Sequence, residues 1–477
     1  MSEDIINIRH KKLESLKKFG IKPFGVRFDK TDTLANIKSG FEEGKKVKVA
    51  GRIMSIREHG KSLFWDIKDH TEKLQLYLKK DTLGEAFVLK DNIDIGDIIG
   101  AEGGLFKTRT GEVTVNAESF IVLAKSIRPL PEKWHGLKDV ETRYRQRYLD
   151  LIANDEVKKI FLIRSEVIKG TRRFFDDRGY LEVETPMLQP LAGGAAGRPF
   201  ITHHNVYDRD LYLRIAPELY LKRLLVGGFE RVYEINKSFR NEGISPKHNP
   251  EFTMLEAYTA YADYNDLMPL TEELIHGLAK NILGKSIIEY QGREIDLAPP
   301  WERVSFAELM EQLYGITAKD DLNTWIGKLQ QKGVKIEGKK IGRTKIINII
   351  ADLIEPKSTK GKPVFVTDYF TELCPLAKTK QENPQISERF ELYIAGMEVA
   401  NAYSELNNPM EQKERFEKQL EFDKETSDKI DEDYVRALEY GMPPAAGLGM
   451  GIDRLTMIFT NQESIRDVIL FPQLKPE

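Results

Sequence analysis

The clearest pattern of apolar and polar positions in this chain lies between Phe229 and Tyr258. Apolar and polar residues alternate with a period of two over residues 232–237 and again over residues 252–258, which is typical of β-strands. Gly243 and two prolines break the chain between these runs. The segment is therefore predicted to form two strands joined by a polar loop.

Charged and hydrogen-bonding residues collect at the end of the first run and in the loop. They are Arg240, Glu242, Lys247 and His248. The planar fork of an arginine pairs with two phosphate oxygens at once, so the cluster suits a polyphosphate. On composition alone, an exposed hairpin whose charged side chains are simply solvated is the plainer interpretation.

Two further segments have informative patterns. An amphipathic helix is predicted over roughly residues 157–177, and it leads into Gly179-Tyr-Leu-Glu-Val-Glu-Thr-Pro186. Near the C-terminus, residues 447–451 contain three glycines, which let a backbone approach a ligand closely. This segment continues as an apolar helix with Arg454 at its start.

The rest of the chain divides into two parts. Short alternating runs punctuated by glycine over residues 46–124 predict a small barrel, for which an OB-fold is the natural candidate, although periodicity alone does not exclude another barrel. From residue 155 onward, helices and strands mix without β-α-β alternation, which favours an α+β domain. We expect domains at residues 1–140 and 141–477, with a mainly helical insertion at about 265–345.

Composition sets limits without giving a function. The 477 residues are enough for two or more domains. No apolar run approaches the ~20 residues that cross a bilayer, so no membrane association is expected. The single cysteine, Cys374, excludes an internal disulfide framework and fits a reducing, cytoplasmic setting. The net charge of −3 does not exclude RNA, because RNA binding needs only local basic patches such as the one over residues 9–22.

Residues 179–186, 229–258 and 447–459, in this order, resemble the three signature motifs of class II aminoacyl-tRNA synthetases. The surrounding sequence resembles the lysyl-tRNA synthetase branch from about residue 8 to the end. This resemblance is specific because it depends on long ordered strings. The strings are Trp134-His-Gly-Leu, Arg143-Tyr-Arg-Gln-Arg-Tyr-Leu-Asp-Leu151, Gly193-Gly-Ala195, Arg198-Pro-Phe-Ile-Thr-His-His204, Arg214-Ile-Ala-Pro-Glu-Leu-Tyr-Leu-Lys-Arg223, Tyr403-Ser-Glu-Leu406 and Ile465-Arg-Asp-Val-Ile-Leu-Phe-Pro472.

The resemblance implies a fold and a reaction. The fold is an N-terminal OB-fold β-barrel that binds the anticodon, followed by a class II catalytic domain built on an antiparallel sheet flanked by helices. In the reaction, the carboxylate of lysine attacks the α-phosphorus of ATP, which gives lysyl-adenylate and pyrophosphate. The lysyl group then passes to the 3′ end of lysine tRNA. Neither step demands a protein nucleophile, so catalysis should come from positioning and from neutralised phosphate charge.

The resemblance also implies roles in ATP binding. Arg240 matches the arginine that bridges the α-phosphate and the amino-acid carboxylate. Glu242 and His248 match loop positions that contact the nucleotide. Phe252 and Arg454 match the residues on the two faces of the adenine. From the pattern alone, Phe252 is more simply a core residue of an alternating strand.

Two acids, Glu391 and Glu398, match the pair that carries Mg²⁺ against the ATP phosphates in the family. Without the resemblance, two acids seven positions apart are a weak signal. In a regular strand this odd spacing places them on opposite faces. A bulge or turn near Gly396 is therefore expected to bring them to one site.

Six residues match the lysine pocket of the family. Glu218 matches the acid that binds the α-amino group, aided by the backbone of Gly194, and Asn401 matches a contact to the carboxylate. Glu405 matches the acid that meets the ε-ammonium group. The remaining two, beside and near Glu405, are Tyr258 and Glu256.

The family also implies contacts with tRNA and with a second subunit. Phe64 matches an aromatic residue that stacks on an anticodon base, while Gln75 and Glu112 match residues that bond base edges. Arg57 is a plausible backbone or base contact. From sequence alone, Phe64 suits a core position equally well. Pro186 lies in the first motif, which in this class forms the interface of a homodimer.

Three other functions remain open at this point. A paralogue that lysylates a protein is one, although such relatives typically lack the N-terminal barrel. An aspartate or asparagine enzyme of the same subgroup is another, which the contexts of Glu405 and Tyr258 disfavour. The third is an RNA-binding regulator with an inactive synthetase domain, yet Arg240, Arg454 and the acidic pair are all present.

Overall fold

A computed structural model gives the fold of the chain. It describes residues 2–60, 62–131, 137–195, 197–336, 346, 349–350, 361–422 and 430–476. The first three residues of the string Trp134-His-Gly-Leu and the end of the expected insertion, 337–345, lie outside these ranges. The chain forms two compact units, Met1–Lys138 and Asp139–Glu477.

The first unit is a five-stranded barrel. Its strands are β1 (Lys46–His59), β2 (Ser62–Lys68), β3 (Lys73–Lys79), β4 (Ile98–Lys107) and β5 (Val113–Ala124). They pair in the order β1-β2-β3-β5-β4, and β4 pairs with β1 to close the barrel. The alternation in β2 explains the closure, because Leu63, Trp65 and Ile67 are buried inside while the intervening residues face outward. The helices of this unit are α1 (Ser2–Lys18), α2 (Leu34–Ser39) and α3 (Lys80–Leu83).

The second unit contains an eight-stranded sheet, antiparallel except at its two edges. Its strand order is β14-β15-β16-β17-β18-β11-β10-β6. The strands of this unit are β6 (Leu181–Glu182), β7 (Leu188–Gln189), β8 (Ile201–His204), β9 (Arg209–Leu213), β10 (Arg231–Phe239), β11 (Glu251–Ala260), β12 (Ile287–Tyr290), β13 (Arg293–Asp296), β14 (Glu302–Ser305), β15 (Val364–Thr367), β16 (Arg389–Ile394), β17 (Met397–Ser404) and β18 (Ala445–Gly451).

Helices flank this sheet, as the α+β prediction requires. They are α4 (Val140–Arg145), α5 (Arg147–Ala153), α6 (Asp155–Asp176), α7 (Glu218–Val226), α8 (Tyr264–Leu278), α9 (Phe306–Tyr314), α10 (Leu322–Gln331), α11 (Pro409–Phe422), α12 (Glu432–Glu439), α13 (Ile452–Phe459) and α14 (Ile465–Val468). The predictions of an OB-fold barrel and a helix-flanked antiparallel sheet are confirmed. Within the described residues, no helix is both long and apolar enough to cross a membrane.

The two faces of the sheet differ in character. Leu448 of β18 lies between Ala257 and Ala402 in register, and all three are buried in one apolar core together with residues of α6, α8 and α13. Because successive side chains of a strand point to opposite faces, the adjacent rows point away from this core. One such row runs across five strands through Glu234, Glu256, Gly449, Asn401 and Glu391.

The segment at about 265–345 contains strands as well as helices. Besides α8, α9 and α10 it contains the hairpin of β12 and β13, and β14 forms an edge of the main sheet. A single π-helical turn, Ala279–Leu283, extends α8.

Candidate active site

The polar loop between β10 and β11 closes on itself beside Arg240. The amide of Arg240 donates to Pro250 O at 2.9 Å, so Arg240 leaves the end of β10 in a fixed direction. Its guanidinium lies 5.1 Å from the ring centre of Phe252, and its Nε has no hydrogen-bond partner among the described residues. Burial lowers the pKa of Arg240, while Glu242 and Glu398 oppose that shift. The result is a half-buried cation with donor capacity to spare.

A cleft opens over this loop and the polar rows of the sheet. It contains about 800 Å³ of empty space, which includes open solvent at its mouth. The structure brings together here every residue predicted to bind ATP. The lining includes Arg240, Glu242, His248, Phe252, Glu398, Asn401, Gly449, Gly451, Asp453 and Arg454.

Arg454 joins two loops of the cleft. Its Nη1 donates to Glu398 Oε2 at 3.0 Å and to the Glu398 carbonyl at 2.7 Å, and its Nη2 lies 3.3 Å from His248 Nε2. The other ring nitrogen of His248 lies 2.8 Å from Ser245 Oγ. Burial lowers the pKa of His248, and the charge of Arg454 lowers it further. A neutral imidazole that accepts at Nε2 and donates at Nδ1 satisfies both contacts.

Glu391 and Glu398 lie on neighbouring strands rather than on one. The chain turns between β16 and β17 at Ala395 and Gly396, both with positive φ, and a β-bulge follows Leu392. Glu391 therefore pairs with Asn401, and Glu398 pairs with Tyr393, which brings both acids to the same end of the hairpin.

The two acids differ in electrostatic environment. Glu391 accepts from Tyr369 at 2.7 Å, from Tyr393 at 2.6 Å and from Arg389 at 2.5 Å. Burial nevertheless raises the pKa of Glu391, with Arg389 opposing the shift. Burial by itself would raise the pKa of Glu398, but Arg454, together with Arg389 and Asn401, lowers it below its ordinary value. No group of three or more metal-ligating side chains is found in the ranges that the structure describes.

A cluster of buried acidic and phenolic side chains lies next to the cleft on the same face of the sheet. Glu405 is 1% exposed, its Oε2 is ion-paired with Lys222, and its Oε1 has no hydrogen-bond partner in the described part of the chain. Lys222 also contacts Glu218 Oε1 at 2.7 Å. The hydroxyl of Tyr403 donates to Glu218 Oε2 at 2.6 Å. Glu218 and Glu405 therefore both contact one ammonium group.

Of the remaining residues predicted to bind lysine, Tyr258, Glu256 and Gly194 lie in this cluster, and Asn401 lines the cleft. Tyr258 donates to Glu256 Oε2 at 3.0 Å, and burial, with Glu218 nearby, raises the pKa of Glu256 to about 8. Gly194 has a φ of +85°, and a Cβ there would lie 3.4 Å from Glu218 Cβ. The backbone at Gly194 therefore lies beside Glu218, in a conformation that favours glycine.

The outer face of the barrel unit holds the residues predicted to bind the anticodon. Arg57, Gln75 and Glu112 line one surface depression, where Thr114 Oγ1 donates to Gln75 Oε1 at 3.0 Å. Phe64 is half-buried on the outer face of β2 and packs on Tyr77 at 5.0 Å between ring centres. Phe64 is therefore outside the barrel core, which contains its neighbours instead.

Pro186 is exposed at the end of the first motif. The neighbouring side chains are also apolar and exposed: Met187 at 38%, Leu188 at 49% and Ile201 at 63%. Thr185, immediately before Pro186, donates to Glu234 Oε2 at 2.7 Å, which ties this segment to the polar face of the sheet.

Sequence reasoning missed several residues that build these sites. Lys222 lies four residues after Glu218 in the same helix, a spacing that predicts contact between the two. Tyr403 lies two residues before Glu405 and therefore on its face of the chain. No local signal indicated Asp453, whose Oδ2 accepts from the amide of Thr253 at 2.7 Å, beside Phe252.

Two protein-family models match the chain. Residues 139–475 match the family of class II tRNA synthetases for D, K and N. Residues 47–123 match the OB-fold nucleic acid binding domain.

Full-length relatives share one name. A lysine–tRNA ligase of Carboxydothermus hydrogenoformans is 55% identical over 99% of this chain and 98% of its own length. One of Pelotomaculum thermopropionicum is 56% identical over 99% of this chain and 95% of its length, and one of Moorella thermoacetica is 50% identical over 99% and 98%. This chain belongs to the class II tRNA synthetases and, within them, to the lysine–tRNA ligase family.

Proposed function

We propose that this chain activates lysine with ATP and transfers the lysyl group to the 3′ end of lysine tRNA. The observation that carries the proposal is Glu405, a fully buried carboxylate on the same face of the sheet as the arginine-lined cleft. Its Oε1 accepts no hydrogen bond from the residues that the structure describes. A buried acid of this kind selects a ligand that brings a positive charge, because an uncharged side chain would leave it unpaired.

ATP occupies the cleft in this proposal. Arg240 binds the α-phosphate and the attacking carboxylate of lysine, and its free Nε supports such a role. The lysine oxygen forms a bond to the α-phosphorus, and the bond from that phosphorus to the pyrophosphate oxygen breaks. Phe252 and Arg454 hold the adenine between them, while Glu242 and His248 contact the nucleotide.

Glu391 and Glu398 suit a hard cation such as Mg²⁺, because their ligand atoms are carboxylate oxygens. Among the described residues, Glu398 Oε1 accepts only from Asn401 Nδ2 at 3.4 Å, which leaves it available. Two carboxylates fit an ion that takes its other ligands from phosphates and water. A bound Mg²⁺ would supply charge neutralisation on the phosphates, and Arg389 and Tyr369 position Glu391 for it.

Lysine lies between Glu218 and Glu405 in the proposed complex. Its α-amino group binds Glu218 and the backbone of Gly194, and its carboxylate contacts Asn401. Its ε-ammonium group binds Glu405, with Tyr258 beside it and Glu256 nearby. The free Oε1 of Glu405 supports this orientation.

The barrel unit, residues 1–140 in our assignment, binds the anticodon, and residues 141–477 carry both chemical steps. Phe64 and its partner Tyr77 offer a half-buried aromatic surface for a base, with Gln75, Glu112 and Arg57 nearby for polar contacts.

We further propose a homodimer formed through the segment around Pro186, because its exposed apolar side chains suit a protein interface. The single cysteine suits a cytoplasmic location.

An ATP–pyrophosphate exchange panel tests the proposed function. Lysine, aspartate and asparagine are supplied separately, and lysine alone should support exchange. Charging of lysine tRNA then tests the second step. Exchange with aspartate or asparagine, or exchange without charging, would contradict the proposal.

A further inference from the structure

The proposed binding site for the substrate lysine contains a fully buried lysine of the chain itself, Lys222. Its side chain is 0% exposed, contacts Glu218 Oε1 at 2.7 Å and is ion-paired with Glu405 Oε2. Its Nζ also lies 5.5 Å from the ring centre of Tyr403. One chain ammonium therefore joins the two acids that are proposed to bind the two ends of lysine.

The groups that face Glu405 come from four elements. From α7 come Glu218 and Lys222, from β11 come Glu256 and Tyr258, from β17 comes Tyr403, and from α12 comes Tyr434. Of these groups, Lys222 alone is a cation. The others are acids or phenols, none of which favours a negative charge on Glu405 by its own charge.

An acid in such a place needs a positive neighbour to stay ionised. Burial raises the pKa of Glu405, with Lys222 opposing the shift and Glu218 adding to it. Burial by itself would lower the pKa of Lys222 and favour its neutral form. The charges of Glu218 and Glu405 outweigh burial and raise the pKa of Lys222 above its ordinary value. A protonated Glu405 would be a neutral hydrogen-bonding group without preference for an ammonium ion.

We propose that Lys222 is a positioning residue that keeps Glu405 ionised before the substrate binds and thereby makes the site selective for a substrate with a terminal ammonium group. Lys222 acts through Glu405 and need not touch the reacting atoms. The inference rests on the proposed lysine pocket.

The direct test compares Lys222→Met with the wild-type chain. Lysine KM and ATP KM are measured by pyrophosphate exchange between pH 6.5 and 8.5, and each is expressed as the ratio of variant to wild type, which cancels titration of lysine itself. At pH 7 we expect the lysine KM ratio to be about ten or more. The ratio should fall as the pH rises, by up to about tenfold per pH unit, because Glu405 of the variant ionises at higher pH. The ATP KM ratio should stay near one.

Specificity provides a second readout. The preference for lysine over 6-hydroxynorleucine, which carries a hydroxyl in place of the ammonium group, should fall in Lys222→Met and return in part in Lys222→Arg. Lys159→Met, an exposed site on α6, is the matched control and should change none of these values.

Several outcomes would overturn the proposal: an unchanged lysine KM, a lysine KM ratio independent of pH, or an equal rise in ATP KM. If Lys222→Met does not fold, calorimetry decides instead. Lysine binding to Glu256→Gln, in which that acid no longer titrates, is measured at pH 7 in two buffers of different ionisation enthalpy. No proton release supports an ionised Glu405, and release of about one proton contradicts it. A wild-type chain inactive with lysine would instead refute the proposed function.

Discussion

Glu405 and Gly447 approach so closely that a methyl group on Gly447 would overlap Glu405 Oε1 and the ring of Tyr258. Gly447 lies in β18, between Tyr258 of β11 and Tyr403 of β17 in register. The glycine therefore provides the space in which the carboxylate lies across the strand. This close approach, and not a demand of the backbone angles, accounts for the glycine at position 447, which has no positive φ.

Substitution Gly447→Ala should disturb the lysine pocket selectively. The added methyl displaces Glu405 or Tyr258, and overpacking of this kind costs about 1–3 kcal/mol of stability. We expect lysine KM to rise by at least about tenfold, equivalent to ~1.4 kcal/mol, with ATP KM nearly unchanged. Gly277→Ala in α8, where a Cβ meets nothing within 4 Å, is the matched control and should behave as wild type. Equal lysine KM values in both variants would argue against this arrangement.

Glu405→Gln should abolish selection of the substrate ammonium while leaving nucleotide binding intact. Loss of one partner of a buried ion pair costs roughly 2–5 kcal/mol, so lysine-dependent pyrophosphate exchange should fall by about thirtyfold or more. ATP binding, measured by equilibrium dialysis, should change little because Glu405 does not line the cleft. Glu417→Gln, an exposed site on α11, is the control. Near wild-type exchange in Glu405→Gln would contradict the role assigned to that residue.

Glu256 should make stability depend on pH. Burial raises its pKa to about 8 in the folded chain, against an ordinary value of 4.5. Between these values the folded state holds a proton that the unfolded state has lost, so this contribution to stability falls as the pH rises from about 4.5 to 8. Its full size is on the order of 5 kcal/mol.

Glu256→Gln imitates the protonated acid and cannot titrate. The melting temperature of this variant, minus that of the wild type, should therefore increase as the pH is raised from 5 to about 8.5. Calorimetric melting at four or five pH values measures the difference. A difference that stays constant over this range would show that Glu256 is already ionised.

Phe64→Ala should separate the two activities. Stacking of a base on an aromatic ring contributes about 1–3 kcal/mol, so kcat/KM for charging of tRNA should fall by roughly five- to 150-fold. Pyrophosphate exchange with lysine and ATP should not change, because Phe64 belongs to the barrel unit. Phe24→Ala, a 51% exposed phenylalanine of the same unit, is the control. Reduced exchange in Phe64→Ala would point to general damage instead.

The sequence predicted the β10–β11 hairpin because its pattern is local. Alternation defines both strands, and the prolines define the loop that carries Arg240. The approach of Glu391 and Glu398 is harder to predict from sequence, because it depends on a turn and a bulge that their spacing alone does not specify. Their side-chain partners come from distant segments, as Tyr369 shows, and no local pattern reports such a contact.

Charge patterns in the sequence were ambiguous for a similar reason. Arg9 belongs to a cluster that reads as a basic surface, yet it is 7% exposed and donates to the carbonyl groups of Ile95, Ser126 and Arg128. Lys222 likewise resembles an ordinary lysine of a helix surface in the sequence. In the fold it is buried against Tyr403 of β17 and Glu405, which follows that strand. Burial of a charged residue is decided by tertiary contacts, which a single segment does not contain.

The alternation of apolar and polar rows across β11, β18 and β17 has a consequence for how such a chain can change in length. Loss or gain of one residue within β18 would exchange Gly447 and Gly449 for Leu448 and its apolar neighbours on the ligand side. The same insertion or deletion would make the glycine positions face the apolar core that packs on α13. Insertions and deletions are therefore tolerated between the strands but not within them, and replacement of side chains is the route by which this sheet can acquire a different amino-acid preference.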